Sequence, residues 1–180
     1  LNDVRNSRRE LSQVIAAIDE EIQTVFAKAF EDVNRNFTDL FQLLFPGGKG
    51  KLSLTNPADM LNTGIEVEAT PPGKTFKKLS LLSGGERSLT ALAYLFAVFR
   101  SRPSPFYVMD EVEAALDDVN LHRFLGLVGE FRRDAQLIIV SHQKRTMEAA
   151  DCLLGVSMQP GGSSKVVTER ASSTAGNSTT

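Results

Sequence analysis

Apolar residues at Leu11, Ile15, Ile18, Ile22, Val25 and Ala29 recur in alternating steps of four and three, the rhythm of a coiled-coil seam. Val33, Phe37, Leu40 and Leu44 continue the series after a repeated four, a stutter in the heptad. No Pro or Gly interrupts Arg5 to Phe45. The pattern therefore predicts one helix, a rod of roughly 60 Å at 1.5 Å per residue. Phe26, Phe30, Phe37, Phe41 and Phe45 widen the apolar face over its second half. A narrow seam suits a partner helix, whereas a broad face suits a globular core. The first half is expected to leave the domain and the second half to dock on it. An amphipathic helix wholly inside the domain is the other reading of the same pattern.

Pro46-Gly47-Gly48 stops that helix. Lys51–Thr55 and Ile65–Ala69 alternate polar and apolar residues, and predict two antiparallel strands. Ser83 to about Arg100 is rich in Ala, Leu and Phe and predicts a second helix. Phe106–Met109 is a run of four apolar residues, the pattern of a buried parallel strand. A helix over about 118–132, a buried strand Gln136–Val140 and a short helix Arg145–Ala150 follow. Cys152–Met158 and Lys165–Glu169 predict a hairpin around Pro160-Gly161-Gly162. The Ser, Thr, Gly and Asn residues of 171–180 predict a disordered tail.

Composition narrows the class. Hydrophobic residues make up 42% of the 180 positions, enough for a sizeable core in one domain with an appendage. A net charge of -2 gives the whole chain no nucleic-acid signature, so any DNA contact has to come from local patches. Lys49, Lys51, Lys74, Lys77 and Lys78 are the candidates, with a solvated face as the plainer explanation. Cys152 is the only cysteine, which excludes an intrachain disulfide and fits a reducing compartment. No apolar run approaches the length of a membrane span, and the polar start does not resemble a signal peptide. The missing initiator Met suggests a chain cut from something longer; a cloning choice would look the same.

Two stretches carry chemistry. In Leu82-Ser83-Gly84-Gly85-Glu86-Arg87, Ser83 and Glu86 form a capping-box pattern at a helix start. Glycine costs about 1 kcal/mol relative to Ala in a helix interior, so two in a first turn ask for a reason. Without side chains they let a ligand approach the free N–H groups and the positive end of the helix dipole. A plain capped helix with flexible glycines explains the pattern equally well. The second stretch is Asp110-Glu111 at the C-terminal end of the 106–109 strand, where ligands bind in open α/β sheets. One carboxylate can face Mg²⁺ while the other faces an attacking water; an acidic strand-end turn is the plain alternative. His142 follows the 136–140 strand and should lie on the same sheet edge, while His122 falls within a helix and reads as structural or solvent-facing. Gly73-Lys74-Thr75 matches the end of a phosphate-binding P-loop, but Glu68 stands where its first glycine belongs. Pro71 and Pro72 have no N–H to offer a phosphate. No segment of the chain carries the full motif.

Order and spacing make these signals specific. LSGGE, a hydrophobic strand ending in Asp-Glu, then Ala115-Leu116-Asp117 and a strand ending in Ser141-His142 is the order of ABC-type ATPases. Leu82–Glu86 resembles the signature motif, Phe106–Asp110 the Walker B strand, Ala115–Asp117 the D-loop and His142 the switch histidine. The wording of 110–120, 141–151 and 155–167 is similar to that of bacterial structural-maintenance-of-chromosomes (SMC) proteins, and the resemblance runs from about Glu10 to Glu169. An Asp is commoner in that family at Glu113, with little effect expected.

The resemblance implies an α/β fold: the C-terminal lobe of an ABC-type P-loop ATPase head with a leading coiled-coil helix. Residues 1–45 form the neck helix, 46–170 the head half and 171–180 the tail. The P-loop (Walker A) would lie in an N-terminal half that folds back after a long coiled coil. It further implies ATP and Mg²⁺ as ligands, with Asp110 holding the metal through water, Glu111 polarising the attacking water and His142 contacting the γ-phosphate. Ser83, Gly84, Gly85 and Glu86 would bind the ATP of an opposite head, and Asp117 would organise the shared interface. The implied partners are the N-terminal half of the same head, a second head in an ATP-dependent homodimer, a kleisin subunit and DNA, with no membrane. The implied setting is the nucleoid in the cytoplasm. Another ABC-type ATPase, whether a coiled-coil DNA-repair relative or a transporter subunit, and a non-catalytic coiled-coil module are the alternatives. Alone, the chain is expected to be nearly inactive and to expose a sheet edge and an apolar face.

Overall fold

The computed structural model describes residues 2–73 and 77–170. Lys74 and Thr75 of the P-loop-like stretch, and the tail expected over 171–180, lie outside the described residues.

Helix α1 runs Asn2–Leu44, and its 43 residues give a rod of about 65 Å. Leu11, Ile15, Ile18, Ile22 and Val25 are each about half exposed or more. Phe37, Leu40, Phe41, Leu44 and Phe45 are buried. The helix thus leaves the globular part in its first half and enters the core in its second. Gly47, at φ 82°, breaks it in a conformation that favours glycine.

A three-stranded antiparallel sheet follows, β1 (Lys49–Leu54), β2 (Ile65–Thr70) and β3 (Lys77–Lys78), in that order. β1 begins two residues earlier than its alternation predicted, and the two-residue β3 has no signal in the sequence. The open edge of β1 is capped by α1: Asn34 Oδ1 accepts from the Leu52 N–H at 2.7 Å, and Thr38 Oγ1 donates to the Gly50 carbonyl at 3.0 Å. A free strand edge is otherwise a template for unwanted pairing. Gly50 permits this approach, since a Cβ there would lie 2.5 Å from Phe41 Cγ.

After a single 3₁₀ turn (Leu79–Leu81), α2 spans Gly84–Ser101 and buries Leu89, Leu92, Ala93, Phe96 and Ala97. β4 (Phe106–Asp110) and β5 (Gln136–Val140) pair in parallel, joined through α3 (Asp118–Phe131). Phe96 meets the ring edges of Phe124 and Phe131 with centroids 6.2 and 4.7 Å away, locking α2 to α3. Tyr107 stacks on Phe99 at 4.0 Å and tucks β4 beneath α2. A short α4 (Lys144–Glu148) and the hairpin β6 (Cys152–Met158) and β7 (Ser164–Arg170) complete the described chain.

The expectation of two fully buried strands is corrected. β4 alternates: Tyr107 and Met109 are buried, whereas Phe106 and Val108 are 55% and 62% exposed. On β5, Leu137 and Ile139 are half-buried, while Ile138 and Val140 are exposed. The cause is that this sheet has two strands, and the core formed with α2 and α3 covers one face only. Register puts Phe106, Val108, Asp110, Ile138 and Val140 together on the uncovered face. An apolar face and edge are thus open, as the sequence led one to expect. No helix among the described residues is long and apolar enough to cross a membrane.

Candidate functional site

The parallel pairing of β4 with β5 brings two distant segments to one edge. The Glu111 N–H donates to the Val140 carbonyl at 2.9 Å, extending the ladder one residue past the end of β4. Glu111 then turns the chain at φ 46°, the one positive φ among the described non-glycine residues. A left-handed Glu is strained and persists where its surroundings over-determine it. The turn is fixed by Ala114 N–H to the Glu111 carbonyl and Leu116 N–H to the Glu113 carbonyl. It presents the Glu111 carboxylate to solvent, with Oε1 3.3 Å from His142 Nδ1. Asp110, one residue earlier, is exposed at the end of the uncovered face.

The glycine-rich helix start forms a second group. Ser83 caps α2: its Oγ accepts from the Glu86 N–H at 3.4 Å, and Glu86 Oε2 accepts from the Ser83 N–H at 3.1 Å. Both halves of the capping box are therefore made. The N–H groups of Gly84 and Gly85 precede the helix's own ladder and stay available. The two glycines differ. A Cβ at Gly84 would meet nothing within 4 Å; one at Gly85 would lie 3.0 Å from Asn120 Nδ2 and 3.5 Å from Asp117 Oδ2. Asp117 caps α3, accepting from the Asn120 N–H at 2.8 Å and from Asn120 Nδ2 at 3.2 Å. Asn120 itself is buried. Gly85 is thus the point where the starts of α2 and α3 touch.

The structure therefore brings Asp110, Glu111 and His142 together, and separately brings Ser83–Glu86 to Asp117. No hydrogen bond or ion pair among the described residues joins Ser83, Gly84 or Gly85 to Asp110, Glu111 or His142. No cluster of three or more His, Cys, Asp or Glu side chains able to hold a metal occurs among the described residues. A Mg²⁺ bound with nucleotide needs only one or two carboxylates, its other ligands being water and phosphate. Exposed Asp110 fits that donor set.

His122 is exposed on α3, in keeping with its plain reading. Lys49 and Lys51 line a recess of about 250 Å³ with Thr38, Gln42 and Gly50, and Lys51 Nζ sits 3.5 Å from Glu68. None of the site residues lines it. Pattern reading missed Asn120, whose side chain spaces the two helix starts, and Glu113, which is buried. The signal for Asn120 was its place three residues after a capping Asp. Glu113 had none, because an acidic residue in an acidic turn reads as solvated.

The site thus combines a parallel strand pair ending in two carboxylates and a histidine with a capped glycine-rich helix start. The chain belongs to the RecF/RecN/SMC N terminal domain family, whose model matches residues 2–165. It is 59% identical over 170 residues to the chromosome partition protein Smc of Mycobacterium tuberculosis, a match covering 94% of this chain and 14% of that protein. The chain thus spans about a seventh of the length of that relative. Among solved structures, the Smc head domain with an extended coiled coil bound to the C-terminal domain of ScpA, from Pyrococcus furiosus, superposes with a TM-score of 0.78 at 40% identity, covering 94% of this chain and 42% of that one. An SMC ATPase solved in work on ATP-driven dimerization and DNA stimulated activation superposes with a TM-score of 0.75 at 42% identity, covering 82% of this chain and 89% of that one. The α/β fold, with a helix leading into small sheets, is that of SMC ATPase heads.

Proposed function

We propose that the chain is the C-terminal half of the ATPase head of an SMC protein, with the phosphate-gripping loop supplied by another segment of the parent polypeptide. The observation that carries this reading is the separation of the two residue groups. Asp110, Glu111 and His142 share one strand edge; Ser83, Gly84 and Gly85 open a different helix. A helix start whose Ser83, Gly84 and Gly85 have no hydrogen bond or ion pair to their own strand edge among the described residues can serve the nucleotide of a partner. The absence of GxxxxGK followed by Ser or Thr anywhere in the 180 residues supports the half-head assignment. So does the match to nearly all of a separate SMC ATPase chain. The family model's name refers to an N-terminal domain; the residues upstream of Leu1 in the parent decide which half this is, since the proposal requires a GxxxxGK motif hundreds of residues before it.

In this reading Glu111 accepts a hydrogen bond from the attacking water and polarises it as general base. His142, held beside Glu111, faces the γ-phosphate. Asp110 would hold Mg²⁺, which when bound would neutralise phosphate charge. The chemistry is phosphoryl transfer, mostly positioning and charge stabilisation. Gly84 and Gly85 offer their free N–H groups to the ATP of the opposite head, Ser83 and Glu86 shape that helix start through the capping box, and Asp117 organises the shared interface beside Gly85. ATP binding thereby joins two heads in a homodimer, and hydrolysis releases them. The work is done on DNA, in entrapment, chromosome condensation and segregation within the cytoplasmic nucleoid. A kleisin is the expected further partner, in line with the ScpA-bound Smc head.

The test is Glu111→Gln in the head reassembled from this chain and its N-terminal half. The expected result is retained ATP binding and loss of turnover with an unchanged fold. Turnover equal to wild type removes Glu111 from the mechanism and with it this reading of the site.

A further inference from the structure

Glu113 is 1% exposed, the one charged side chain among the buried described residues. Its Oε1 accepts from Thr146 Oγ1 at 3.2 Å, across 33 residues of sequence. Its Oε2 is buried with no partner among the described residues. A carboxylate buried on one neutral donor is costly, and an apolar pair of similar volume would pack there at least as well. A buried acid with one oxygen unpartnered calls for a role other than packing.

Placement supplies one. Glu113 lies two residues after Glu111, inside the turn that sets the left-handed Glu111 backbone. Thr146 lies four residues after His142 and is the one buried residue of α4. Its bond to Glu113 is therefore what seats α4, and with it His142, against the Glu111 turn. A weaker outer contact repeats the link: Arg145 Nη1 donates to the Asp118 carbonyl at 3.4 Å and stands 3.8 Å from Asp118 Oδ1. The chain closes a ring, with Glu111–His142 on the wet side and Glu113–Thr146 on the dry side. The dry contact holds while the wet one is free to exchange partners with nucleotide.

We propose that Glu113 and Thr146 are positioning residues for hydrolysis: their buried hydrogen bond sets the distance between Glu111 and His142. Misplacement of reacting groups by about 1 Å can cost on the order of 100-fold in rate. The inference rests on the ATPase reading above, and the experiment separates the two.

The protein to test is the complete head, with Glu111→Gln as reference. Thr146→Val is expected to lower kcat by about 10- to 100-fold, with KM for ATP within about twofold. Thr146→Ser, which keeps the hydroxyl, restores kcat. The double variant Glu113→Met with Thr146→Val removes both polar partners, which is cheaper than orphaning one. It is expected to recover the wild-type melting temperature but not the wild-type kcat. A merely structural pair would recover both together. Wild-type kcat in Thr146→Val or in the double variant overturns the proposal, as does a loss of rate carried by KM. A double variant that fails to fold assigns the pair to the core alone and overturns it too. If Glu111→Gln turns over normally, the ATPase reading falls instead.

Discussion

His142 Nδ1 stands 3.3 Å from Glu111 Oε1, although 31 residues separate them in the chain. The contact exists because β4 and β5 are parallel and end in register, Asp110 opposite Val140. Both side chains are more than half exposed. An exposed pair of this kind contributes about 0–1 kcal/mol to stability, so its value is in placement. His142→Ala in the complete head is expected to leave the denaturation midpoint nearly unchanged. Turnover should fall by about 100-fold or more, the usual contribution of a positioned proton-transfer or phosphate-facing group. Steady-state turnover beside a denaturant titration checks this; a shifted midpoint with normal turnover would reverse the assignment.

Gly84 and Gly85 are adjacent but face different surroundings, and this separates their roles. Gly84→Ala meets open space, so the chain should be as stable as wild type or slightly more so. Gly85→Ala drives a methyl group toward Asn120 Nδ2, whose side chain is tied to Asp117 and Arg123 and yields little. Overpacking of this sort costs about 1–3 kcal/mol. In an ATP-dependent head-engagement assay, however, Gly84→Ala should be the more damaging, because in the proposed reading the open space beside Gly84 is what the opposite head's nucleotide would fill. Equal stability of the two variants would sink the distinction.

Long-period features were legible in the sequence and short-range polar geometry was not. The α1 heptads, the capping box at Ser83 and the strands ending at Asp110 and Val140 depend on local pattern, and all stand where the pattern put them. The fully buried β4 and β5 were misread because a run of apolar residues reports that a strand has two faces to cover, not whether this chain covers both. The uncovered face is therefore itself informative, since exposed Val108 and Val140 are what the proposed half-sheet would leave for another segment to cover. Glu113–Thr146 and Gly85–Asn120 escaped because each joins groups remote in sequence through side chains whose types also suit solvent.

The seam of α1 makes its own prediction. Ile18 and Ile22 are half exposed and touch no core residue of the described chain. Replacing each with Asp should move the stability of the globular part by no more than about 0.5 kcal/mol, as for surface sites. If α1 is the neck helix of a coiled coil, as its heptads led one to expect, the same change should abolish its pairing with the partner helix, because a seam would bury these positions against the facing coil. Analytical ultracentrifugation of α1 mixed with that helix reads the second effect. Undiminished pairing would mean that α1 uses another face.

The two faces of the β4–β5 sheet should respond oppositely to substitution. Met109 is buried against α2 and α3, and Met109→Ala is expected to cost about 2–5 kcal/mol. Val108, its neighbour, is 62% exposed on the uncovered face beside Ile138 and Val140. Val108→Lys should therefore cost this chain under about 1 kcal/mol by itself, a strand-propensity effect. The wild-type chain alone should self-associate through this apolar face and edge and should lack a clean monomeric melt. Lysine at Val108 should reduce that association. Added N-terminal half should rescue ATP turnover with wild type but not with Val108→Lys, because the charge would be buried unpaired in the completed sheet. Light scattering of the chain alone and turnover of the mixture read the two effects. If Val108→Lys leaves the self-association of the isolated chain unchanged, this face is already covered within the chain, and the half-sheet reading fails.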